Sequence, residues 1–133
     1  MPRDADGTYN RVAGGTLRAG VTPHSTFIDV DDAGRVSGSE ADVIRSFAEE
    51  IGAEVEFEIG SERQLMELME NGDIDIVAGG FTEDSPWSTH MALTRPYTTS
   101  EGGDDVVMGV RPGENRMLVN LETYLARHAG ELR

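Results

Sequence analysis

The sequence has no cysteine, a single tryptophan, three histidines, and only 11 basic residues against 25 aspartates and glutamates. Without cysteine there is no disulfide scaffold, no thiol catalysis and no cysteine-ligated zinc. His24, His90 and His128 fall into no HExxH or similar grouping, so a histidine metal site is not expected either. The shortage of basic residues leaves a formal charge of -14 and a pI near 4.4. That field opposes every phosphate contact, which excludes nucleic acid and anionic membrane surfaces as natural partners and favours a cationic or zwitterionic ligand. Long apolar runs are missing too, since none approaches the ~20 residues that span a bilayer. The start, Met1 to Gly7, lacks the apolar core of a secretion signal, so the chain is expected to be cytosolic or to have had its signal removed. There is no internal repeat, no GxSxG elbow, no GxxxxGK[ST] phosphate loop and no GxGxxG fingerprint, and nothing calls for a cofactor.

What the sequence does contain is enough to fold. Its 133 residues suit one domain, and 38% hydrophobic with 27% charged residues supply a core. Residues 1–15 are polar and glycine-punctuated, and read as a leader that is loosely ordered or lies along the surface. Leu17, Ala19 and Val21 alternate with Arg18 and Gly20 as a first strand. The Asp31 to Gly34 cluster then turns a short hairpin. Ser39 is placed to cap a helix carrying Ile44, Phe47, Ala48 and Ile51, which Gly52 ends. Val55, Phe57 and Ile59 alternate with Glu54, Glu56 and Glu58, the pattern of a strand near a sheet edge. Ser61 to Gln64 form a capping box ahead of Leu65, Leu68 and Met69, and the apolar Ile74 to Ala78 suits a strand covered on both faces.

Strand, helix, strand, helix, strand argues for an α/β fold with a parallel sheet. Met91 to Leu93 suit another short strand, residues 98–105 read as a polar linker, Val106 to Val110 as a further strand, and Met117 to Leu125 as a helix with Arg127 and His128 in its last turn.

Ligands of such sheets lie beyond the carboxyl ends of the strands. That rule selects the loops at 22–27, 60–62 and 79–82. Gly80 beside Gly79 lets a ligand approach the main chain or merely permits a tight turn, and Thr82 offers a hydroxyl. His24 either meets a ligand or stands exposed without a role, while Phe27 belongs in the core. Trp87 either walls a pocket, stacking on a cation, or packs. Glu62 either pairs with a ligand ammonium or serves its helix dipole. Asp29, Asp31, Gly34 and Glu40 imitate a calcium loop, but Ala33 supplies no oxygen at the fifth place, and a plain turn is the better reading.

Four segments in order, Leu17 to Thr22, Gly38 to Ile44, Gly72 to Thr82 and Thr94 to Tyr97, resemble the first lobe of a family 3 extracellular solute-binding protein, the receptor of an ABC importer. The resemblance covers residues 16–97. It implies a type 2 periplasmic binding protein fold: one three-layer lobe with a mostly parallel sheet, one antiparallel return strand and flanking helices. Residues 98–105 stand where the family has its whole second lobe, and 106–133 look like the returning strand and helix. A lobe excised by design and a natural minimal version both fit.

By the resemblance the site maps onto His24, Ser25, Glu62, Gly80, Thr82 and Trp87: His24 and Glu62 each fall where amino-acid binders often carry a stacking aromatic, and Thr82 where a hydroxyl meets the ligand's amino group. Trp87 replaces the arginine that clasps an α-carboxylate, which removes that fork. The resemblance implies a non-enzymatic, periplasmic or extracytoplasmic lobe that binds a small polar solute, amino-acid-like or cationic, and serves an ABC permease. Two rivals accompany it: a homodimer through the face toward the absent lobe, and a dehydratase-like relative, for which only His24 and Glu62 are candidate proton-transfer groups.

Overall fold

In a computed structural model, residues 11–24, 27–86, 90–99, 103 and 105–128 are described. In chain order the elements are β1 (Thr16–Val21), β2 (Asp29–Val30), β3 (Val36–Ser37), α1 (Ser39–Glu50), β4 (Glu54–Ile59) and α2 (Glu62–Glu70), followed by β5 (Ile76–Ala78), β6 (Ala92–Leu93), β7 (Thr98–Thr99), β8 (Asp105–Val106), β9 (Gly109–Val110) and α3 (Asn115–His128).

Five strands form the main sheet in the order β4-β1-β5-β9-β6. β1 lies parallel to β4, with Leu17 opposite Val55 and Val21 opposite Ile59, and parallel to β5, with Ala19 opposite Ile76. Val106 to Val110, expected as one strand, is divided: Val106 ends β8, which pairs with β7 outside the main sheet, and β9 alone returns antiparallel between β5 and β6. The alternation in β1 assigns the layers. Leu17, Ala19 and Val21 join Ile44, Phe47, Leu121 and Leu125 in one core, so α1 and α3 cover that face. Leu65, Met69, Ile74 and Val77 form a second core, placing α2 on the other. The Phe47 and Tyr124 rings meet edge to face at 5.6 Å, where α3 packs on α1. Gly20 faces α2, and a Cβ there would lie 2.6 Å from Ile74 Cδ1 and 3.0 Å from Leu65 Cδ2. Its bareness sets how closely α2 approaches the sheet.

The structure adds detail to three further sequence readings. Ser39 is the first residue of α1 and not its cap: Gly38 occupies that place at φ 112°, with no side-chain cap bond. Of the expected leader, residues 1–10 lie outside the described residues, whereas Val12 is fully buried and Gly14 N–H donates to Ile51 O at 3.1 Å. Arg11 pairs with Asp75, which also accepts from Arg18 N–H at 2.9 Å, so the entering chain is tied to the amino ends of the parallel strands. The stretch at 98–105 opens and closes in strand, with Thr98 paired to Val106 and Thr99 to Asp105.

The capping box of α2 forms as read, with Gln64 N–H donating to Ser61 Oγ at 3.2 Å and Ser61 N–H to Gln64 Oε1 at 2.9 Å. The calcium-like segment is a plain turn. Asp31 Oδ1 accepts from Ala33 N–H at 2.9 Å and Arg35 N–H at 2.8 Å, and those donors, the Arg35 amide foremost, hold its carboxyl below the usual range.

Because α3 completes the first core, truncating fully buried Leu121 to alanine should cost about 2–5 kcal/mol. Urea unfolding should then show a lower midpoint and still one transition. Two separate transitions would mean that α3 is not part of the cooperative unit.

Candidate functional site

The three loops selected by the strand-end rule converge. Thr22 N–H donates to Ala78 O at 3.2 Å and Gly60 N–H to Val21 O at 3.1 Å, which stitches the carboxyl ends of β5, β1 and β4 side by side. His24 leaves β1, makes a bridge with Ile28, and stands exposed with its ring 5.9 Å from that of Phe27. Phe27 is in the core, as expected.

The two glycines after β5 are required by their surroundings. Gly79, at φ 155°, would set a Cβ 2.4 Å from Thr22 Cγ2 and 2.7 Å from Thr22 O. Gly80, at φ 69°, would set one 2.4 Å from His24 Nδ1, so the imidazole rests on the bare α-carbon. Thr82, half-buried, bridges to Val106. His24 and Gly80 thus form one wall, with Thr82 two residues farther along the same loop. Glu62 is exposed at the first turn of α2, at the end of β4, and no bond ties it to the other three. Ser25 and Trp87 lie outside the described residues.

One residue at this wall is singled out in the sequence reading only as the last place of the calcium-like spacing. Glu40, in the first turn of α1, is fully buried. Its Oε1 accepts from Gly80 N–H at 2.8 Å, its Oε2 accepts from the Tyr97 hydroxyl, and the neighbouring Gly79 amide also favours its charged form. Burial pushes its carboxyl up from 4.5 to about 7, against the pull of those three donors. Tyr97, buried beside it, is raised well above the usual phenol value, first by burial and then by the Glu40 charge. Acidic residues in a helix's first turn are ordinary dipole partners, and no local pattern brings residue 80 onto residue 40.

Among the described residues no group of three or more His, Asp or Glu is arranged to hold a metal ion, and no helix is long and apolar enough to cross a membrane. A groove of about 580 Å³ between residues 95–97 and α3 is lined by Arg95, Pro96, Val119 and Arg127, and none of the sequence-predicted site residues reaches it.

The sequence model of the bacterial extracellular solute-binding proteins, family 3, matches residues 17–115. No curated protein matches the chain. Among solved structures, the chain is similar to the arginine-bound form of domain 1 from TmArgBP, at 22% identity and TM-score 0.77, covering 85% of this chain and 93% of that one. It is similar to the unliganded, open L-cystine solute receptor of Neisseria gonorrhoeae at 14% identity and TM-score 0.74, covering 92% of this chain and 90% of that one. An ancestral cyclohexadienyl dehydratase is 32% identical at TM-score 0.57, over 62% of this chain and 35% of that one. The architecture is that of a single lobe of such proteins.

Two outcomes follow from the wall. Gly79→Ala, which meets backbone at Thr22, should destabilise by about 2 kcal/mol, and Gly80→Ala by less, since the His24 ring can swing away. Glu40 binds its proton more tightly folded than unfolded. Its contribution is therefore fully present below about pH 4.5 and is lost as pH rises through about 7. In urea unfolding, Glu40→Gln should gain on the wild type across that interval, and a constant difference between the two would show that Glu40 does not titrate there.

Proposed function

Because the chain belongs to the bacterial extracellular solute-binding proteins of family 3, we propose that its loop cluster is one wall of a solute site that takes a small polar molecule, amino-acid-like or cationic. The observation that carries this reading is the seating of the His24 ring on Gly80, with Thr82 two residues on, at the joined carboxyl ends of β1 and β5. In this reading the imidazole supplies a flat face, the Thr82 hydroxyl meets an amino group, and Glu62 attracts the cationic end across the wall. Ser25 and Trp87 are assigned to the same wall by their place in the sequence. The arginine in the similar TmArgBP domain and the net charge of -14 both favour a cationic amino acid.

The lobe works by binding and not by catalysis. The two candidate proton-transfer groups, His24 and Glu62, are both exposed and no bond joins them, so they form no acid–base pair, and Glu40 is fully buried away from a solute. Delivery to an ABC permease outside the cytoplasm accompanies the family reading. As an isolated lobe the chain binds weakly, because a single wall leaves the far side of the solute in water.

Calorimetric titration with L-arginine should give a dissociation constant of about 1 mM or weaker, equivalent to about -4 kcal/mol. Thr82→Ala and Glu62→Gln should each weaken it further, as read by chemical-shift perturbation. Micromolar affinity would overturn the one-wall account, and binding indifferent to both substitutions would overturn the site. Ile59, 44% exposed at the carboxyl end of β4, favours a second reading in which this face self-associates. Light scattering that shows only monomer over a wide concentration range would remove it.

A further inference from the structure

We propose that Glu40 is a positioning residue that fixes the backbone of the Gly79–Gly80 wall and ties it to Tyr97, so that gain of a proton on its carboxyl group loosens the wall and weakens solute binding. The proposal rests on the reading of that wall as the solute site.

The geometry comes first. Glu40 leaves the first turn of α1 and reaches under the loop after β5, where Gly80 N–H and the Tyr97 hydroxyl are bonded to different oxygens of the same carboxylate. Tyr97 in turn directly precedes β7, and its N–H donates to Val106 O at 3.2 Å, while Val106 also bridges Thr82. One buried group therefore joins the glycine wall to the β7–β8 ribbon, and the ribbon joins back to Thr82. An ionised carboxylate accepts all of these bonds, whereas a protonated one turns one oxygen into a donor and gives up a bond to the wall.

The charged surroundings leave this equilibrium to Glu40 and Tyr97. On α1, Asp42 and Arg45 pair at the surface at 3.6 Å, and Glu50 is held by Arg127 of α3 at 2.7 Å. On β4, Glu54, Glu56 and Glu58 are exposed, and β3 carries no charge. The His24 ring packs where a Cβ of Gly80 would lie and is the ionisable neighbour that the test must separate. The proton affinity of Glu40, near pH 7, puts the change in an accessible range.

The test is a pH titration of the 15N-labelled full chain from below to above neutrality. The Gly80 amide proton should move upfield as pH falls, with its midpoint near pH 7. Glu40→Gln should abolish that response, and His24→Ala should keep it. Tyr97→Phe, which removes a donor that favours the ionised form, should move the midpoint to higher pH and serves if the Glu40 variant does not fold. With L-arginine as probe, affinity should fall about fivefold on the acid side of the midpoint, the worth of one ordinary hydrogen bond, and should not change with pH in Glu40→Gln. A Gly80 amide that does not respond, that responds unchanged in Glu40→Gln, or that falls silent in His24→Ala overturns the proposal, as does a pH-independent arginine affinity in the wild type. Loss of arginine binding at every pH with the Gly80 response intact would instead overturn the solute reading and leave the role of Glu40 in the wall standing.

Discussion

Strand β5 is three residues long, each of them buried, and it is paired along both edges, to β1 on one side and β9 on the other. A strand this short has little stability of its own, so the elements it joins hold it in place. Ile76 and Ala78 face the core beneath α1 and α3, while Val77 faces α2. At its amino end Asp75 gathers Arg11 and Arg18, and at its carboxyl end the chain enters Gly79 and Gly80. Position along β5 is therefore fixed by an ion-pair cluster behind and by packing against Thr22 in front. The candidate site inherits that register, because a slip of one residue would exchange the faces of β5 and move both glycines.

The sequence was legible where a rule is local. The alternation of β1 and β4, the stripe of α1, the capping box of α2 and the glycine stop at Gly52 each depend on residues a few positions apart, and each is found in the structure. The cap of α1 was misread because serine at residue 39 satisfies the local rule, yet Gly38 takes the entry at a positive φ and the first turn is spent holding Glu40 inward. Residues 11–15, the described part of the expected leader, depart from the reading for a similar reason. Polar composition near a terminus suggests a loose tail, whereas Val12 finds the core and Gly14 and Gly15 close on Ile51 and Glu54.

Within the site, the strand-end rule identified the loops, and the contact of His24 with Gly80 lies where it pointed. What it does not supply is the layer beneath. Glu40 and Gly80 are 40 residues apart and Glu40 and Tyr97 are 57 apart, so their meeting is a property of the packed sheet and not of any segment. A buried carboxylate is also the residue that composition arguments least expect, since acidic side chains are seldom fully buried unless partnered. In a chain with 25 acidic residues, nothing in the string marks the one that points inward.

The choice of a carboxylate at that point has a physical reason. The Gly79 and Gly80 amides and the Tyr97 hydroxyl all donate toward residue 40. An acceptor-only group satisfies them together, whereas an amide presents one acceptor and turns its own donor toward the rest. The carboxylate carries the desolvation cost of a buried charge, seen in the upward push on its proton affinity, and the converging donors offset part of it. An aliphatic side chain would avoid that cost but leave donors unsatisfied beneath the wall, where each unmade bond costs about 1–3 kcal/mol. A group near balance between its charged and neutral forms is the result, and it lies where the loop after β5 meets the ribbon formed by β7 and β8.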